Sequence, residues 1–319
     1  MKLFSNAIVW VALLVASSNA AAQAFPSKPL RVIVPYGAGS GTDVAVRIVT
    51  NRMTQSIGQA IVVENRAGAS GNIGMEAGAK APPDGHTLVV GAAGTLAMNP
   101  FLFQTLPFNP EKDFEPIILI ARMPMVLLAP PNVPMKNLAD LTARARAKPG
   151  GLNAGIPSTS AVMVSELLKQ SGVPLVNINY KSSGLALSDV AGNQLDIAID
   201  TVVAAVPLIR AGRLTALGVS TSKRSDLIPD VATVAEQGLP GFEVSAWIGF
   251  YAPKGTPRQV IEQLNAAARK AIDNQETRAL LLQAGFDAAG GGMQELAEFE
   301  RAEREKWGRV IKAAGIKAE

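Results

Sequence analysis

The sequence predicts an α/β protein of two lobes, each built on a largely parallel sheet and joined by two segments that cross between them. Three observations carry this prediction. From Leu30 onward, short β-branched runs alternate with longer amphipathic stretches, and each junction is marked by glycine, proline or a small hydroxyl residue. That is the rhythm of successive βα units. The rhythm begins a second time after the turn at Lys148, Pro149, Gly150 and Gly151 without repeating the first sequence, and two long apolar runs separate the series.

In the first series, Leu30 to Val34 reads as a strand, Gly41 to Ile57 as a helix and Ala60 to Glu64 as a second strand. Gly71 to Ala81 follows as a helix and Leu88 to Gly91 as a third strand. The run from Pro116 to Ala129 is too long for an ordinary strand and is interrupted by Arg122 and Pro124. It is either two strands or one strand that passes between lobes. The second series places strands at Leu152 to Ile156, Leu175 to Tyr180 and Leu195 to Asp200, with helices at Ser160 to Ser171 and Gly184 to Gly192. Leu214 to Ser220 is a further strand. Glu243 to Ala252 is the second long apolar run and returns the chain to the first lobe. Pro257 to Asn274, Glu276 to Ala284 and Met293 to Ala314 carry Leu, Ile, Val and Ala at helical spacing. The expected division is residues 25–121 with 246–319 in the first lobe and 122–245 in the second.

Residues 1–24 have a different character. Lys2 precedes an apolar run, Ala7 to Ala16, that ends in small residues and an A-x-A site at Ala22, Gln23 and Ala24. This reads as a cleavable secretory signal that leaves Phe25 as the mature N-terminus. The run is about half of the roughly 20 apolar residues that a membrane span needs. The 319-residue chain contains no cysteine, so a disulfide, a thiol nucleophile, a thiolate metal site and a lipid on an N-terminal cysteine are all excluded. A single histidine, His86, falls in the turn leading into Leu88 to Val90 and reads as a surface residue. One imidazole is too few for the usual catalytic zinc site. The formal charge of +4 comes without an arginine-rich run interleaved with aromatics, so no nucleic-acid partner is expected.

The informative loop is Tyr36, Gly37, Ala38, Gly39, Ser40, Gly41 and Thr42, which follows the first strand and opens the first helix. Glycines let the backbone approach a ligand closely, and unpaired N–H groups at a helix start attract an anion. Ser40 and Thr42 add hydroxyl donors; the plainer alternative is a structural turn capped by Thr42 or Asp43. Related junctions hold Gly94 after the third strand and Ser158, Thr159 and Ser160 after the first strand of the second series. Asp200 ends the strand Leu195 to Asp200, where it either faces a ligand or caps the next helix. Strand C-termini are where open α/β sheets bind ligands. None of the three loops contains Arg or Lys, so an anion would be held by neutral donors. Arg66 and Lys181 are the nearest basic residues in neighbouring motifs.

Several long motifs together carry a family resemblance. They are FPSKPLRVIVPYGAGSGTD from Phe25, VVENRAGASGNIG from Val62, DGHTLVVGAAGTLAMNP from Asp84 and FNPEKDFEPI from Phe108. NYKSSGLALSDVAGNQLDIAID from Asn179, IPDVATVAEQGLPGFEVSAWIGFYAPKGTP from Ile228 and KWGRVIKAAGIK from Lys306 complete the set. From about Phe25 to Lys317 the chain resembles the Bug receptors of tripartite tricarboxylate transport systems. The resemblance implies a type II-like periplasmic-binding-protein fold, two α/β domains joined by a two-segment hinge around a central cleft. It implies a monomeric, unlipidated periplasmic receptor that closes on a small carboxylate, dicarboxylate, amino acid or aromatic acid and hands it to a membrane permease, without catalysis or cofactor. Carried over, the ligand loops are Tyr36 to Thr42 and Ser158 to Ser160, with Asp200 toward the ligand's far end. The second loop departs from the family pattern: GIPSTSAVMVSEL lacks the usual glycines and His-Leu pair. Two other readings stay open, an exported hydrolase using Ser40 or Ser158, and a receptor that reports to a signalling protein.

Overall fold

The computed structural model describes residues 25–180 and 182–315, so the expected signal at residues 1–24 and Lys181 lie outside the described residues. The first series forms β1 (Leu30–Val34), α1 (Gly41–Ile57), β2 (Ile61–Asn65), α2 (Asn72–Ala79) and β3 (Thr87–Ala92), with β1 parallel to both β2 and β3. A wide helical turn, Ala93–Met98, and the short α3 (Asn99–Leu102) follow. After β4 (Phe114–Ala129) and α4 (Leu138–Ala147), the second series supplies β5 (Leu152–Ile156), α5 (Thr159–Gln170), β6 (Leu175–Asn179), α6 (Ser183–Ala191) and β7 (Ile197–Thr201). Here β5 is the parallel centre. The remaining elements are α7 (Val202–Arg210), β8 (Thr215–Val219), β9 (Ser245–Pro253), α8 (Arg258–Ile272), α9 (Gln275–Gln283), β10 (Asp287–Gly290) and α10 (Met293–Ala314).

Strand order is β2-β1-β3-β9-β4-β7-β5-β6, with β8 and β10 also on β4. Two parallel units are therefore held together by an antiparallel pair. Phe114 to Pro124 of β4 pair with β9, and Met125 to Ala129 pair with β7 and β8. The long apolar run is thus one strand shared by both sheets. Pro124, which cannot donate to a ladder, sits one residue before β4 changes partners. Arg122 does not break the strand because its guanidinium pairs with Glu243 and lies 4.3 Å from the centre of the Phe299 ring.

Both faces of the first sheet are buried. Val32, Val34, Leu88 and Val90 pack on one side with α1 and α8, while Ile33 and Val89 point to the other, the two-residue alternation of a strand. In α8, Ile261, Leu264 and Ala268 form the buried stripe at helical spacing. In α10 the stripe Leu296, Glu300, Glu303 and Trp307 includes two carboxylates, and both find partners. The described residues thus form two α/β units with parallel centres, joined through the antiparallel pair of β4 and β9. No helix of the described residues is long and apolar enough to cross a membrane. His86 is less exposed than its turn position suggested: it accepts from the Ser27 N–H at 3.2 Å and stands edge-on to Phe25 at 5.0 Å.

Candidate ligand-binding site

The loop after β1 is built around Asp43. Its carboxylate accepts from the Gly39 N–H at 2.9 Å, from Arg47 at 2.9 Å and from the Asn65 amide at 2.9 Å, and Asn65 also donates to the Tyr36 carbonyl at 3.1 Å. Burial pushes the Asp43 carboxyl up, but the bonds from Arg47, Gly39 and Asn65 outweigh it and hold it below its ordinary value. Gly39, at φ +77°, supplies the left-handed turn that a side chain would strain. Gly74 lets α2 rest on the start of the same loop, because a Cβ there would stand 2.6 Å from the Pro35 Cα. Asp43 therefore fixes the loop from behind, a role the sequence did not reveal.

The helix cap is Ser40, whose hydroxyl accepts from the Asp43 N–H at 3.3 Å. Ser158 does the same for α5, accepting from the Ala161 N–H at 3.3 Å. In each helix this satisfies the third N–H and leaves earlier ones open. The N–H groups of Gly41, Thr42 and Ser160 have no partner among the described residues. Both helix starts thus present unpaired donors and the positive end of a helix dipole.

These two helix starts line one cavity of about 970 Å³. Tyr36, Thr42, Gly94, Ser158 and Ser160 are on its wall. Burial pushes the Tyr36 hydroxyl up to about 12, against the bond from Thr95, so it stays neutral and able to donate. Gly37, Ala38, Gly39 and Gly41 are exposed in the same loop but are not on the wall, nor is Ser40, whose hydroxyl is used at the cap. Thr159 is the first residue of α5. Asp200 stands apart from the cavity wall. It is 1% exposed, accepts from the Thr201 N–H at 2.7 Å and the Ser183 hydroxyl at 3.0 Å, and keeps one oxygen buried without a partner. Burial raises its carboxyl above the ordinary value despite those bonds. It makes no side-chain cap for α7, whose cap residue is Thr201.

The rest of the wall was not visible in sequence. Met98, Leu102 and Phe103 come from the segment after β3, Met123 from β4, Trp247 from β9 and Phe286 from the approach to β10. These residues are far apart along the chain and meet only when both crossing strands are in place. Trp247 is held by α10: its indole N–H donates to Glu303 at 3.1 Å, the Trp307 indole donates to the same oxygen at 3.0 Å, and Lys306 pairs with the other oxygen. No described residue on the cavity wall is charged. Arg66 is turned to Glu64 at 2.6 Å and does not reach it. Among the described residues no group of three His, Asp or Glu side chains is placed to hold a metal.

Comparison with known proteins gives a consistent picture. The UPF0065 protein in the tcbD-tcbE intergenic region of Pseudomonas sp. (strain P51) is 39% identical over 308 residues, covering 94% of this chain and 91% of its own length. Rpa4515 of R. palustris, solved with adipate, superposes with a TM-score of 0.74 at 33% identity over 92% of this chain and 99% of its own. MatC (Rpa3494) from Rhodopseudomonas palustris, solved with bound malate, gives 0.69 at 34% identity over 90% of this chain and all of its own. The model of the tripartite tricarboxylate transporter family receptor, TctC, matches residues 45–316. The chain belongs to that receptor family.

Proposed function

We propose that the chain is an exported periplasmic receptor that captures a small carboxylate between its lobes and delivers it to a two-component membrane permease, as a monomer and without catalysis. The observation that carries this reading is the meeting of two helix starts, α1 and α5, with open N–H donors on one uncharged cavity. An anion there gains hydrogen bonds and two favourable dipoles without a counter-charge. Related proteins solved with adipate and malate support a carboxylate as the ligand.

The loops that hold the carboxylate are Tyr36 to Thr42 with Gly94 on one side and Ser158 to Ser160 on the other. Gly37, Ala38, Gly39, Ser40 and Gly41 contribute backbone and shape, and Asp200 comes to the ligand's far end on closure. The lobes are residues 25–121 with 246–319, and 122–245; the change of partner along β4 at Pro124 supports that division. Residues 1–24 act as the export signal and are removed. Against catalysis, the hydroxyls of Ser40 and Ser158 accept bonds as helix caps, and the sole histidine faces Ser27, Asp84 and Phe25 instead of either serine.

The test is a thermal-shift screen of carboxylates followed by calorimetry. A true ligand at 100 times its dissociation constant should stabilise the protein by about 2.7 kcal/mol. Absence of stabilisation by any carboxylate would overturn the reading.

A further inference from the structure

We infer that the ligand is a monocarboxylate carried on an apolar, ring-sized body, and that the wall formed by Met98, Leu102, Phe103, Met123, Trp247 and Phe286 selects it. This rests on the receptor reading above and narrows the ligand class. The cavity, at about 970 Å³, is at the upper end of the roughly 300–1,000 Å³ that pockets for drug-sized ligands occupy. Before the lobes draw together, a four-carbon acid would leave most of this volume to water.

The chemistry of the wall is asymmetric. Donors are concentrated at the two helix starts and Tyr36. Elsewhere the wall is thioether, indole, phenyl and aliphatic, with Ser70 and Asn99 as further polar residues. Asn99 is 3% exposed, and its NH2 is already committed to the Ser70 carbonyl at 3.1 Å and the Asn72 amide oxygen at 2.7 Å. What Asn99 can offer a ligand is an acceptor oxygen, which suits a hydroxyl or N–H and repels a carboxylate. A second ionised carboxylate would therefore lose its water without gaining a counter-charge or a set of donors, a large penalty for a buried anion. An apolar body instead gains burial against Leu102, Phe103 and Met123, which are half-buried on the wall. Methionines are well matched to a ring, because their flexible thioethers pack on aromatic edges. Trp247 lines the same cavity at 1% exposure with its indole N–H held by Glu303, so it is a fixed and nearly covered part of that wall.

Two matched pairs separate body from charge: hexanoate against adipate, and benzoate against benzene-1,4-dicarboxylate, each titrated by calorimetry into the full mature chain. The expected result is that each monocarboxylate binds at least tenfold more tightly than its dicarboxylate partner, with benzoate tighter than hexanoate. Binding should shift the emission of Trp247, and Trp247→Phe should abolish that shift while Trp307 remains as the unperturbed indole. Phe103→Lys, which adds a cation to the half-buried wall, should raise affinity for the dicarboxylates relative to the monocarboxylates. Equal or tighter binding of adipate or benzene-1,4-dicarboxylate to the unaltered protein would overturn this inference and leave the receptor reading standing. So would tight binding with no response from Trp247. If no member of the panel binds, together with malate as a further control, both this inference and the receptor reading fall.

Discussion

Thr42 sits where the glycine loop becomes a helix, on the cavity wall and with an open N–H. If its hydroxyl bonds an ionised carboxylate directly, Thr42→Val removes one donor at similar size and weakens binding by about 1.5 to 3 kcal/mol, while the melting temperature of the free protein stays within a degree or two. Calorimetry with a scanning melt separates the two effects. Asp287 makes a prediction about stability instead. Burial, and then the like charge of Asp226, raises its carboxyl from 3.8 to about 6, and one oxygen lacks a partner. The folded state thus holds this proton more tightly than the unfolded chain. The group's contribution is fully present below about pH 4 and is lost as pH rises through about 6. Asp287→Asn should therefore be more stable than the natural protein at neutral pH by about 1 to 2 kcal/mol, after allowing for partial exposure. The difference should disappear in acid, as urea melts across that range would show. The glycine loop's place between a strand and a helix start was legible in the sequence, and of its residues Tyr36 and Thr42 are on the cavity wall. The Met, Phe and Trp wall was not legible, since an apolar residue that lines a cavity looks like one that fills a core.

At the scale of elements, the sequence reading succeeded where periodicity was strong and failed where it was weak. The helices Gly41–Ile57 and Met293–Ala314 begin and end where their caps and spacing predicted. α7 is not expected from the sequence: Val202–Arg210 is rich in β-branched residues and carries Pro207 inside it, both of which argue locally against a helix. α4, a three-turn helix rich in Ala and Arg, carries a weaker apolar pattern than its neighbours, and the four residues of β10 are too few to show alternation. The placement of α10 also has consequences the sequence hid. Its two buried glutamates look misplaced in an apolar stripe until Glu303 is seen to receive two indole N–H groups and Lys306. Glu303→Ala should cost about 2 to 4 kcal/mol because it leaves two buried indole N–H donors without an acceptor. Glu303→Gln, which keeps an acceptor, should cost clearly less. Denaturant melts followed by tryptophan emission would measure both.

For the whole molecule, β4 is the strand that both sheets share: its first part pairs with β9 and its last five residues with β7 and β8. The helix starts of α1 and α5 follow β1 and β5, which lie on opposite sides of it in the strand order. A ligand bridging α1 and α5 should draw the lobes together, so the radius of gyration from solution scattering should fall at saturating ligand; an unchanged profile would mean that the cleft is rigid. The central claim is that neutral donors at two helix starts, rather than a charged clamp, hold the anion. Its most direct test is calorimetric titration of the best monocarboxylate at low and high salt, spanning on the order of 0.01 to 1 M, over which the screening length falls from about 30 to about 3 Å. Short-range bonds inside a closed cavity predict a dissociation constant that changes by less than about threefold, both in the natural protein and in Arg66→Met and Lys181→Met. A loss of tenfold or more with salt that disappears in either variant would contradict the account and place a charged clamp at the ligand.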